Sequence, residues 1–152
     1  MLKIDDKILC ESISQVLERM AFMMLLPPEE EMPSPEQSVE VTIEFRGQVS
    51  GQVHLLAGTD LIEMIAANFI GVEPFDPEAS EKRVDGFKEI LNTVCGTLLP
   101  RLADSPADVF DISIPEAREY DRPYQWDALV KNNDATVMEC EYHPFAFWIT
   151  SL

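Results

Sequence analysis

Between Asp76 and Pro100 the chain carries one long stretch that only a helix can organise. Asp76-Pro77-Glu78 supplies an N-cap, a proline at the first helical position and an early acid, and nothing forbids helix from there to about Leu99. At about 100° per residue, Asp85, Glu89, Asn92 and Gly96 fall within roughly 60° of arc, while Phe87, Ile90, Leu91, Val94 and Leu98 lie on the other side. The helix therefore buries its apolar side and turns a polar stripe outward. Everything else in the chain must supply the surface on which that apolar side packs.

The remaining pattern alternates between helical and strand periods. From Asp5 or Asp6 as N-cap, apolar residues recur at Ile8, Ile13, Val16, Leu17, Met20 and Met24, a helical spacing ended by Pro27 and Pro28. Residues 27–38, PPEEEMPSPEQS, read as a mobile connector too short to divide the chain into independent domains. Val39 to Phe45 alternates apolar and polar, and Val49, Gly51, Val53 and Leu55 resume the alternation, which predicts a hairpin with one buried face. Asp60 with Glu63 resembles a capping box opening a helix that closes at Gly71. Strand-like stretches follow at Val109 to Ile114, Trp126 to Val130 and Ala135 to Tyr142, with Asn132-Asn133-Asp134 as a turn and an apolar end from Phe145 to Ile149. The expectation is a single α+β domain, residues 1–152, whose mainly antiparallel sheet is covered by helices.

Composition narrows the function. The formal net charge is −17 over 152 residues, which argues against a basic surface for nucleic acid or an anionic membrane. Hydrophobic residues at 46% and charged residues at 26% fit a folded chain rather than a disordered one. Cys10, Cys95 and Cys140 form no CxxC pair and read as small core residues in a reducing compartment. The first fifteen residues place charges where a signal peptide needs an apolar run, so a cytoplasmic location is expected. His54 and His143 stand alone, with no second ligand at helical spacing, and the Glu29-Glu30-Glu31 run reads as solvated connector; no metal site is expected. Met20, Met23 and Met24 read as core filler. No GxSxG, P-loop or GxGxxG occurs.

The polar stripe is the candidate site. Glu89 can accept charge-assisted hydrogen bonds from a partner's ammonium, and Asn92 both donates and accepts, which orienting an attacking water requires. Phosphoryl transfer asks a protein for little beyond placing water in line and balancing charge, so this pair suffices where the partner brings the metal. By periodicity alone, an exposed Glu and Asn on such a helix are just a solvated face.

The stretch from Asp85 through Glu89 and Asn92 to Gly96 is similar to the signature of the CheC, CheX and FliY group of chemotaxis phosphatases: an acidic or serine residue, three residues, Glu, two residues, Asn, twenty-two residues, Pro. Twenty-two residues separate Asn92 from Pro115, which completes it. The hairpin through Leu55 and the helix ending at Gly71 also look like the segment that precedes the signature in CheX-like members. The resemblance implies hydrolysis of the aspartyl phosphate of a phosphorylated CheY-like response regulator. Glu89 would pair with the regulator's lysine and Asn92 would place the water. Asp85 and Gly96 would meet the partner, and the regulator would supply Mg2+. It implies that Pro115 is structural. On the first helix Glu11 is followed by Ser14 and Glu18 by Ala21, so neither repeats the pair, and the resemblance implies one site per chain in a homodimer, as in CheX-like members. The alternatives are a module that docks a regulator or the flagellar switch without hydrolysis, and a structural dimerisation domain.

Overall fold

The computed structural model describes residues 6–105 and 107–152. The elements run α1 (Asp6–Ala21), β1 (Leu25–Leu26), β2 (Ser38–Arg46), β3 (Gly51–Gly58), α2 (Thr59–Ile70), α3 (Pro77–Glu81), α4 (Arg83–Leu102), β4 (Asp111–Ile112), β5 (Glu116–Tyr120), α5 (Pro123–Asn132), β6 (Thr136–Cys140) and β7 (His143–Ser151). Seven strands form one antiparallel sheet in the order β1-β6-β7-β3-β2, with β4 and β5 sharing the outer edge of β2. This is an α+β fold.

The alternation in the sequence decides the layers. Val39, Val41, Ile43 and Phe45 of β2 and Val53, Leu55 and Ala57 of β3 point to one face, where they meet the apolar sides of α1, α2 and α4 in the main core. Phe145 and Phe147 of β7 join them, and Phe87 of α4 packs edge-on against Phe145 with ring centroids 6.1 Å apart. The opposite sheet face is covered in part by α5, through a smaller cluster of Leu56, Trp126, Ala146 and Trp148. Next to that cluster lies a polar network. His54 Nδ1 donates to Glu40 Oε2 at 2.9 Å, the Tyr120 hydroxyl donates to Glu40 Oε1 at 2.8 Å, and the His54 ring stacks on Trp148. His54 is thus held among side chains of the sheet's outer face.

Several expectations are corrected. The first helix stops at Ala21, well before Pro27, because Asn68 Nδ2 from α2 donates to the Ala21 carbonyl at 2.7 Å and Phe22 turns the chain with φ of 56°. Asp5 lies outside the described residues. The turn buries Met23 but leaves Met24 59% exposed, so of Met20, Met23 and Met24 the first two serve the core. Residues 27–37 are irregular but tied down: the Ser34 hydroxyl bonds Asp127, and Thr59 N–H donates to the Gln37 carbonyl at 2.9 Å. No capping box opens α2, whose N-cap is Gly58 without a side-chain bond, whereas Gly71 closes it as expected with φ of 77°.

The long helix is two. Asp76 caps α3 as predicted, its carboxylate accepting from Glu78 N–H at 2.9 Å, but Lys82, at φ −97° and ψ 7°, breaks the path before α4 begins. Pro100 does not end α4, which runs to Leu102. Trp126 to Val130 is helix, not strand. Pro123 at the first turn and Gln125 reaching back to the backbone of Asp121 and Arg122 start α5, and Trp126, Leu129 and Val130 are spaced as one helical face. Asn133 accordingly ends a helix. The two-residue turn between β6 and β7 is Glu141-Tyr142, both at positive φ, so β6 stops at Cys140. The stretch from Val109 to Ile114 contributes only β4. Of the cysteines, Cys95 and Cys140 are fully buried and Cys10 half-buried; all three are free thiols.

Candidate functional site

The twenty-residue helix α4 carries the site because its apolar side is fixed in the core: Phe87, Ile90, Leu91, Val94 and Leu98 are all buried. Asp85, Glu89, Asn92 and Gly96 are all exposed on the opposite side, and Pro100 extends the stripe by one more turn. All four residues predicted for the site are thus brought to one face. Pro100 has no N–H to give the Gly96 carbonyl, which is left without its helical donor.

The charged groups around the stripe differ in what they already hold. Glu11 accepts from Arg101 at 2.7 Å, and Glu78 accepts from Lys82 at 2.9 Å. By contrast, the side chains of Asp85, Glu89 and Asn92 make no hydrogen bond or ion pair among the described residues. The contact recorded at Glu89 is to its backbone carbonyl, which accepts from Thr93 Oγ1 at 2.9 Å. Of the three basic residues near the stripe, Lys82 is paired with Glu78 and Arg83 donates to the Ser80 carbonyl at 2.9 Å, leaving Lys88.

Gly86 and Gly96 play different parts. A Cβ on Gly86 would lie 3.4 Å from the Ala66 methyl, so its small size serves the packing of α4 on α2 rather than a foreign surface. A Cβ on Gly96 would meet nothing within 4 Å. The fold leaves that position open.

Pro115 stands just before β5. Phe45 pairs with Ile112 and Thr42 with Glu116, so Ile43 and Glu44 of β2 face the longer stretch Ser113-Ile114-Pro115. That is a bulge, in which a proline costs no ladder bond. Its place is consistent with a structural role.

Two features escaped the sequence reading. One is a groove of about 820 Å3 bounded by Asn92, Cys95, Gly96, Leu99 and Pro100 on α4 and by Val109, Phe110 and Ile112 opposite. Its signal in the sequence is the apolar run Val109-Phe110, whose pattern equally suits a strand. The Cys95 thiol at the groove is pushed up to about 12 by burial, so it is no thiolate at neutral pH. The other is the Glu40–His54–Tyr120 network, invisible because its members lie on three strands. Burial would raise the Glu40 carboxyl, but hydrogen bonds from His54 and Tyr120, with the charges of His54 and Arg118, hold it below its ordinary value.

Among the described residues no group of three or more His, Cys, Asp or Glu is arranged to hold a metal ion. No described helix is long and apolar enough to cross a membrane.

The family described as Chemotaxis phosphatase CheX matches residues 39–123, more than half of the chain. No curated protein matches by sequence. Among solved structures, a CheX protein of Desulfovibrio desulfuricans aligns with a TM-score of 0.68 at 12% identity, covering 96% of this chain and 97% of that one. A CheX protein of Vibrio vulnificus aligns with a TM-score of 0.68 at 21% identity, covering 95% and 93%. The CheX chain in a CheX-CheY-BeF3-Mg2+ complex from Borrelia burgdorferi aligns with a TM-score of 0.63 at 18% identity, covering 97% and 98%. At these identities the likeness is one of fold.

Proposed function

The chain belongs to the CheX family of chemotaxis phosphatases, and from that premise we propose that it hydrolyses the aspartyl phosphate of a CheY-like response regulator, with Glu89 and Asn92 acting together. The observation that carries the reading is the stripe itself. Glu89 and Asn92 stand one turn apart on a helix whose other side is locked in the core, with both side chains free to meet a partner. The Borrelia burgdorferi structure, in which CheX is complexed with CheY, BeF3 and Mg2+, supports a CheY-like regulator as the partner.

In this reading the regulator would bring its own Mg2+ with the phosphoaspartate, where it would supply neutralisation of phosphoryl charge. Glu89 accepts an ammonium N–H from the regulator's lysine and so fixes the register of the two proteins. The Asn92 carboxamide accepts a proton-bearing O–H from a water and points its lone pair at phosphorus, opposite the aspartyl oxygen. The water oxygen bonds to phosphorus as the bond to the aspartyl oxygen breaks. The carboxylate leaves with that electron pair and the water's proton passes to solvent or phosphate. No covalent intermediate on this chain is required. The domain works as a single unit in the cytoplasm, as a homodimer with one site per chain.

The test is the decay of acetyl-phosphate-labelled CheY-type regulators from the same genome with and without the protein. Accelerated decay of at least one regulator is expected. Equal decay of all of them overturns the reading and leaves a docking module.

A further inference from the structure

The groove beside Asn92 is larger than the proposed chemistry needs. At about 820 Å3 it lies near the top of the roughly 300–1,000 Å3 that ordinary ligand pockets span, too large for a single side chain. Its opposed walls are apolar: Leu99 and Pro100 on α4 face Val109, Phe110 and Ile112. Val109 is 80% exposed and Ile112 44% exposed. Leaving them in water forgoes burial that each could gain against a partner.

We propose that this groove seats an apolar segment of the same regulator whose phosphoaspartate meets Glu89 and Asn92. The inference rests on that functional reading and extends it to how the regulator is gripped. Three observations identify the occupant.

The first is continuity. Asn92 is the first residue of α4 to line the groove, and Leu99 lies seven residues further along the same helix, about 10 Å away. A regulator that sets its acceptor site on Asn92 therefore overhangs the groove without any separate docking event.

The second is charge. Asp85 and Glu89 lead into the groove, and Asp104 and Asp108 belong to its lining. A complementary segment carries apolar side chains flanked by lysine or arginine. A second copy of this chain, at a net charge of −17, is a poor fit to such a rim.

The third is polar. The Gly96 carbonyl beside the groove lacks its helical donor because Pro100 has no N–H, so a donor on the incoming segment finds an acceptor next to the apolar walls.

Val109→Glu tests the inference, because the side chain is exposed and lies outside the catalytic pair. Binding of a beryllofluoride- and Mg2+-loaded CheY-type regulator from the same genome is measured by calorimetry, and KM and kcat on the acetyl-phosphate-labelled form in parallel. Kd and KM should rise at least about tenfold while kcat stays within about twofold, and Val109→Leu should retain wild-type affinity. Ile112→Glu, on the other part of the same wall, should behave like Val109→Glu. Kd and KM unchanged in both Glu variants overturn the proposal, whether the groove then takes a small molecule or a second copy of the chain. Loss of kcat without loss of affinity overturns it as well. A wild-type protein that hydrolyses no regulator would instead remove the functional reading, and this inference with it.

Discussion

Gly86 of α4 runs so close to Ala66 of α2 that an added β-carbon would lie 3.4 Å from the Ala66 methyl. This contact sets how closely α4 can lie against its neighbour, and so the direction in which Asp85, Glu89 and Asn92 face. An alanine just fits at this distance. Gly86→Ala should therefore be neutral or stabilising by up to about 1 kcal/mol, from helix propensity. Gly86→Leu must push the helices apart, and should cost about 1–3 kcal/mol by overpacking and reduce hydrolysis along with it. Denaturant midpoints and regulator turnover on both variants check this; a Leu variant as active and stable as wild type would show that α4 is not held there.

Glu89 and Asn92 are expected to differ in kind. Glu89→Gln keeps size but loses a charge-assisted bond normally worth about 1.5–3 kcal/mol, so affinity for a beryllofluoride-loaded regulator should fall with turnover. Asn92→Ala removes the group that places water, so turnover should drop at least about a hundredfold with much less change in affinity. Titration and single-turnover decay separate the two. Unchanged affinity for Glu89→Gln would return Glu89 to the solvated face.

Gly96 separates the needs of the fold from those of the partner. Since nothing within the chain lies near its missing side chain, Gly96→Ala should raise stability by up to about 1 kcal/mol. If the regulator approaches the helix backbone closely there, the same change should weaken binding. Greater stability with undiminished binding would remove Gly96 from the interface.

What was legible in the sequence follows from how locally each feature is encoded. The stripe and apolar side of α4 were readable because helical periodicity alone decides both. The hairpin of β2 and β3 was readable because one face is wet and the other buried. Strand β5 was missed because Glu116, Arg118 and Glu119 are exposed and give no alternation. Helix α5 was missed because its few apolar residues form a short run that suits either element. The end of α1 is decided by Asn68, forty-seven residues away, and the groove by two segments that meet only in the fold. Tertiary contacts of this kind leave no local signal.

A homodimer is expected for this chain on the strength of its family. Light scattering across a hundredfold concentration range should give twice the chain mass of 17.2 kDa. A constant monomer mass would rule the dimer out.

The network on the outer sheet face should write itself into the pH dependence of stability. Burial, with the Glu40 carboxylate beside it, pushes the Tyr120 hydroxyl up to about 12 from 10.0. A raised value means the fold prefers the neutral phenol, so this stabilisation is complete below pH 10 and lost as pH rises from 10 through about 12. Burial likewise pushes Cys95 and Cys140 up to about 12 from 9.0, adding a loss that starts near pH 9. Glu40 is held below its ordinary 4.5, so its contribution is present above that pH and lost as pH falls through the lowered value. Stability should therefore be greatest between about pH 5 and 9, falling on both sides. Tyr120→Phe removes both the titrating hydroxyl and one of the donors that hold Glu40 down. It should be less stable than wild type at pH 7, with a shallower decline between pH 10 and 12 and a weaker loss on the acid side. Since the cysteines titrate in both proteins, the difference between the two profiles isolates the Tyr120–Glu40 pair. Unfolding free energies by urea titration from pH 3 to 12 provide the comparison, and parallel profiles for the two proteins would show that the pair is not coupled to folding.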